Sequence, residues 1–250
     1  MKVTRFVDTL ANAGAPYACI LGICGGIASG KSTALSFLST RISDANVICV
    51  SADALGHAAY APGGPANARV AELFPSAVRA GGTIDRTALG AAIFGDAAAR
   101  EALNAAVWPA VAELALAEFV TRATKMRQEG DNTNALPLIG VLEAALLIEA
   151  GWAGQCDAVW LLSVPRDAAI ARIVARGGGI DTIAASARFD AQPDVTSRLA
   201  TATAAGIRID AVVDTSGPIA ETQTKMQVAW NDLLLNLTRG HITNVSSSSS

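Results

Sequence analysis

The residues most able to do chemistry lie close together near the start of the chain. Gly25-Gly26-Ile27-Ala28-Ser29-Gly30-Lys31-Ser32 follows the spacing G-x-x-x-x-G-K-[ST]. Two glycines let the backbone turn tightly around an oxygen-rich ligand, and the N–H groups then point inward. A helix starting near Lys31 adds favourable potential for phosphate. Lys31 is placed to reach the β- and γ-phosphates of ATP, and the Ser32 hydroxyl to ligate Mg²⁺; Thr33 continues the loop into the helix. A dinucleotide reading is excluded: Asp53 lies about twenty residues on, as that fold requires, but no G-x-G-x-x-G opens this helix.

Phosphoryl transfer also needs an acid or base beside the phosphates and positive charge over the transferred group. Asp53 follows the apolar run 47–50, so it falls at the carboxyl edge where open α/β sheets bind ligands. There it can orient an acceptor hydroxyl or take its proton; the structural alternative is an N-cap for a helix beginning at Ala54. Glu143, after a third apolar run, sits where an acid could hold Mg²⁺ through water, while Asp157, Asp214 and Glu149 read mainly as turn, cap or ion-pair residues. Arg172 and Arg176 are spaced i,i+4 and share a helix face. Gly177-Gly178-Gly179 follows as a hinge, then 180–191 with Arg188, the pattern of a lid that closes and excludes water (176–192). Arg86, after Gly81-Gly82-Thr83-Ile84-Asp85, is a candidate for acceptor phosphates. His57 has no second histidine nearby, so it packs along its helix or lines the acceptor cleft, and Trp108 is the tryptophan placed to touch a ligand.

These residues need a scaffold of strands ending at one edge. Strands are expected at 19–24, 47–51, 136–142, 158–163 and 211–214, and helices at 32–40, 167–175 and 221–235. Short apolar runs separated by helices imply a five-stranded parallel sheet covered on both faces. The long stretch between the second and third strands, helical at 54–73 and 87–124, exceeds a simple crossover and reads as a helical substrate-binding insertion over 54–135. The nucleotide core is then 19–53 with 136–235, flanked by a loosely packed N-terminal extension, 1–18, and a loose tail, 236–250, ending in serines.

Composition limits the function classes. The 250 residues carry a net charge of −3, with 51% hydrophobic and 16% charged residues. This excludes a charge-solvated disordered chain and gives no basic surface for nucleic acid. No uninterrupted apolar stretch reaches the length of a membrane span, and residues 1–18 lack a secretory apolar core. The four cysteines, Cys19, Cys24, Cys49 and Cys156, have no zinc spacing and read as buried thiols of a reducing compartment, here the cytoplasm.

In order along the chain, the loop 25–33, Ser51-Ala52-Asp53, the run from Gly82 through Arg86 to Phe94, the run from Leu142 through Glu149 to Trp152, Arg172, Arg176, Gln192 and Val212-Val213-Asp214-Thr215-Ser216-Gly217 resemble the dephospho-coenzyme A kinase family. The resemblance implies a P-loop kinase with a helical coenzyme-binding region and a lid. It implies transfer of the γ-phosphate of ATP to the ribose 3′-hydroxyl of dephospho-CoA. Asp53 matches the catalytic aspartate, Lys31 and Ser32 the loop residues, Arg86 the insertion arginine, and Arg172 and Arg176 the lid arginines; Gln192 supports adenine-side or lid packing. Ala28 stands where the family often has glycine, Ser51 where it often has aspartate, Trp108-Pro109 where it has a histidine–proline pair, and Ala145 where it has proline. A kinase for another small acceptor, such as a nucleoside monophosphate or sugar acid, and a nucleotide-dependent switch are the alternatives; no Asn-Lys-x-Asp run supports the latter. The expected partner is a small molecule, with no nucleic acid and no stable membrane insertion, acting on a monomer or weak homo-oligomer.

Overall fold

A computed structural model describes residues 4–129, 136–177 and 179–239. Expectations that fall on 1–3, 130–135, Gly178 of the hinge and the serine tail lie outside the described residues. The strands are β1 (Cys19–Gly25), β2 (Asn46–Ser51), β3 (Leu138–Glu143), β4 (Ala158–Ser163) and β5 (Ala211–Asp214), in the order β2-β3-β1-β4-β5. Pairing is parallel, with Leu21 opposite Val141 and Ala158, and Leu161 opposite Val212. The P-loop kinase architecture expected from the sequence is present. β1 is buried along its whole length and β3 and β4 along all but one residue, whereas β2 and β5 at the edges are only partly buried. Strands covered on both faces need continuous apolar runs; edge strands do not.

Contacts divide the chain into two compact units, 1–50 with 119–250, and 51–118. In the first, α2 (Lys31–Arg41) and α10 (Ile219–Thr238) supply Phe37, Leu38, Met226 and Trp230 to a core with Leu21, Val141 and Trp160. Trp230 donates Nε1–H to Asp44 at 3.0 Å, satisfying the one polar atom of a fully buried ring. α7 (Arg166–Ala175) starts after Pro165, which is its N-cap. α8 (Thr182–Asp190) fills the expected lid segment, and α9 (Val195–Ala204) follows.

The amino-terminal segment is not the loose extension the sequence suggested. α1 (Phe6–Asn12) buries Phe6 and Leu10. Arg5 donates to Asp157 at 3.0 Å, and the other Asp157 oxygen accepts the Ile20 N–H at 2.8 Å. Burial pushes the Asp157 carboxyl above the usual carboxylate range, against the pull of the Ile20 N–H and Arg5. Two apolar residues one helical turn apart are enough to seat seven residues, too short a pattern to stand out in sequence.

The second unit holds α3 (Ala52–Ala59), α4 (Asn67–Leu73), α5 (Arg86–Ile93) and most of α6 (Ala97–Gln128). Asn67 ties its loops together, donating to Tyr60 O at 2.8 Å and Gly82 O at 3.0 Å. The boundary falls at Glu118, inside α6, not at 135, because Phe119 and Ala123 are buried with the sheet unit. There Tyr17 donates to Phe119 O at 2.7 Å and its ring meets Phe119 edge-on at 5.4 Å. Although no uninterrupted apolar run exists, α6 is the one described helix long and apolar enough by length and composition to cross a membrane. Alanine supplies much of that character, and Arg100, Glu101, Glu113 and Glu118 interrupt it.

Candidate active site

The loop after β1 is shaped by its own backbone. At Gly25, with φ 154°, a Cβ would lie 2.5 Å from Ser29 Oγ and 2.6 Å from Leu162 O. Ala28, where the family often has glycine, keeps the left-handed backbone a glycine would adopt, with φ 60°, so its methyl is carried at a cost of roughly 1–2 kcal/mol rather than avoided by a relaxed conformation. Gly30, at φ 86°, is the N-cap of α2 and offers no side chain to its first N–H groups. The amide donors at the start of α2 are therefore left for an anion. Lys31 Nζ donates to Gly25 O at 3.1 Å and Gly26 O at 3.3 Å and lies 3.9 Å from Glu143 Oε1. Glu143 ends β3 and is buried. Ser29 Oγ is buried inside the loop with no partner among the described residues.

Three side chains brace this loop. Arg172, in the last turn of α7, donates to Ala28 O at 3.1 Å and to Thr215 Oγ1 at 3.3 Å, and also to Thr215 O. Thr215 in turn donates toward Ser29 O at 3.1 Å and Ser163 O at 3.0 Å. Gln192, just beyond α8, accepts the Ile27 N–H at 2.7 Å through Oε1. This corrects the reading of Arg172 as a clamp carried on the lid: it precedes the hinge, and its guanidinium joins the loop to the end of β5. Arg176 does not share that role; it is the exposed C-cap of α7, with no side-chain hydrogen bond to the loop among the described residues.

In the 51–118 unit, Asp53 lies exposed in the first turn of α3. It is not that helix's cap. Ser51 is, its hydroxyl accepting the Ala54 N–H at 3.4 Å, so the serine that departs from the family pattern has a structural use. Arg86 opens α5, whose N-cap Asp85 accepts from Thr87 and Ala88 at 2.9 and 3.2 Å and from Arg79 at 2.6 Å. Arg86 Nη2 lies 2.7 Å from both ring nitrogens of His57, and the His57 ring meets Tyr60 edge-on at 6.0 Å. Burial, then the Arg86 charge, hold the His57 imidazole below its ordinary range, which keeps a neutral nitrogen to accept. Trp108 is half-buried on α6 beside Pro109.

The comparisons with known proteins agree with this geometry. A family model described as dephospho-CoA kinase matches residues 19–210. The chain belongs to the dephospho-CoA kinase family. It is 36% identical over 219 residues to a dephospho-CoA kinase of Moorella thermoacetica, covering 87% of this chain and 93% of that one. It is 35% identical over 212 residues to one of Symbiobacterium thermophilum, covering 84% and 80%. The crystal structure of TT1252 from Thermus thermophilus is 28% identical with a TM-score of 0.60, covering 88% of this chain and 98% of that one.

Within this family member the loop fits a polyphosphate: a glycine cradle that a Cβ would fill, uncapped helix donors and an orphaned buried hydroxyl. No group of three or more His, Cys, Asp or Glu side chains poised for a metal occurs among the described residues. Burial pushes the Cys24 and Cys49 thiols up to about 12 and about 11 and raises Cys19 and Cys156 well above the ordinary range, which favours the protonated thiol at all four; none is in a disulfide, and Cys49 is half-buried where the sequence reading had all four buried. Sequence reasoning missed α9 and its Arg198. Asp194 caps α9 by accepting the Ser197 N–H at 2.7 Å, and an Asp three residues ahead of that amide was the readable signal. Arg198 gave none, because an arginine is read as solvated by default.

Proposed function

We propose that this chain transfers the γ-phosphate of ATP to the ribose 3′-hydroxyl of dephospho-CoA, giving coenzyme A and ADP, the last step of coenzyme A synthesis. The observation that carries the reading is the nucleotide loop with Lys31 drawn over Gly25 O and Gly26 O beside Glu143, in a chain of this family. Lys31 and the free amides of α2 neutralise phosphate charge, and Arg172 and Thr215 keep the loop in shape for it. Asp53 takes the proton of the 3′-hydroxyl as that oxygen bonds to the γ-phosphorus and the bond to the β–γ bridging oxygen breaks, releasing ADP. Arg86, paired with a neutral His57, holds acceptor phosphate, with Trp108 along the same unit and Arg176 on the nucleotide side. Ser32, with Glu143 acting through water, would hold Mg²⁺, which would supply neutralisation of the triphosphate charge. The enzyme is expected to work as a cytoplasmic monomer or weak homo-oligomer.

The test is a coupled ADP-release assay with ATP, Mg²⁺ and a panel of acceptors. Turnover with dephospho-CoA should fall by about 10²–10⁴-fold in Asp53→Asn while ATP affinity is retained. Strong turnover with a different acceptor alone would overturn the assignment.

A further inference from the structure

A cavity of about 630 Å³ in the sheet unit opens beside the nucleotide loop. Gly26 and Ser29 of the loop, Val164 after β4, Phe189 of α8, and Ser197 and Arg198 of α9 line it. Among the described residues, Arg198 is the only arginine counted with the largest fully buried side chains, at 1% exposure. Most of its guanidinium is used: Nε donates to Pro193 O at 3.2 Å, and Nη1 to Ala145 O at 2.8 Å and Glu149 Oε1 at 2.9 Å. Nη2 has no partner among the described residues, nor has Glu149 Oε2, nor Ser29 Oγ in the same cavity wall. A buried guanidinium edge and a buried hydroxyl without acceptors are costly, and together they call for an anionic oxygen. The ion pair with Glu149 alone does not explain them, since a carboxylate with a spare oxygen of its own leaves that edge unmet.

We infer that Arg198 is a further substrate-contacting residue, whose Nη2 donates, with Ser29 Oγ, to a phosphate oxygen held in this cavity next to the nucleotide loop. The site would take the phosphoryl group in transfer, at the γ-position beyond a bound nucleoside diphosphate. The inference rests on the kinase reading for its place in the reaction, but not on which acceptor is used. Glu149 is a positioning residue here: it fixes the guanidinium through Nη1 and, by its charge, holds down affinity for an anion until one is delivered on a nucleotide.

The experiment saturates the full chain with ADP and titrates inorganic phosphate by calorimetry. Arg198→Met should weaken phosphate binding by about ten- to hundredfold, with ADP affinity within about twofold of the parent. Glu149→Gln keeps a hydrogen-bond acceptor on Nη1 while removing the negative charge, and should tighten phosphate binding by about threefold or more. If Arg198→Met lowers the melting temperature and leaves phosphate affinity unchanged, Arg198 serves the ion pair alone and the inference fails. Should Arg198→Met not fold, Glu149→Gln decides: unchanged or weaker phosphate binding overturns the proposal. Absence of turnover with dephospho-CoA, alongside the expected phosphate results, would remove the acceptor assignment and leave this site standing.

Discussion

Lys31 and Arg86 are both cations assigned to phosphate oxygens, yet the two units hold them in opposite ways. Lys31 is 13% exposed, curled onto the backbone carbonyls of its own loop, and that loop is fastened by Arg172, Thr215 and Gln192. Arg86 is exposed and rests on the ring of His57, itself exposed. The nucleotide side is built from main chain, so its geometry is fixed when the sheet folds. The acceptor side is built from side chains on helix surfaces, so its affinity can change without disturbing the fold. Small changes should therefore be severe in the first region and graded in the second.

Gly25→Ala tests the rigid side and should have the largest effect. The new methyl would stand 2.6 Å from Leu162 O, a β4 backbone atom in a fully paired part of the sheet. Overpacking there should cost about 1–3 kcal/mol of stability. Displacement of the loop should cut turnover by about 10²-fold or more. A variant with the parent's melting temperature and rate would break the contrast. Arg86→Met tests the adaptable side: the KM for the acceptor should rise about ten- to hundredfold while the KM for ATP and the melting temperature stay within error. A shift in the ATP constant of equal size would show that the acceptor side is not independent. The smallest effect belongs to His57→Gln. The folded His57 titrates below its unfolded value of about 6.5, so the unfolded chain binds more protons in that window. Stability should thus fall as pH drops through that range in the parent and stay flatter in the variant, read by denaturant melts at stepped pH. Exposure of the ring keeps the difference small. Equal slopes would mean that the Arg86 contact does not depend on a neutral imidazole.

Much of the rigid side was readable before the structure. The eight-residue loop has one geometry compatible with its glycines, and the central strands, buried on both faces, announce themselves as continuous apolar runs. What failed to read has a shared cause: it depends on partners distant in sequence. Arg172 looked like a free cation because its partners, Ala28 O and Thr215, lie 144 and 43 residues away. Arg198 went unnoticed for the same reason, with Glu149 49 residues away. Ser51 was read for the carboxylate it lacks, whereas its hydroxyl caps α3, and the end of the helical unit at Glu118 is invisible because α6 continues unbroken through it.

The latch between α1 and the start of β4 bears on how the chain is made. Arg5 and Asp157 are separated by 152 residues, and the Asp157 carboxylate also receives Ile20 from the head of β1. On the ribosome, Arg5 emerges long before Asp157 exists, so this contact forms only after the helical unit and β3 have been threaded out. Formation of the Arg5–Asp157 contact is thus a late event that closes a very long loop. It acts as a clasp on the finished sheet, joining the first helix to the heads of β1 and β4.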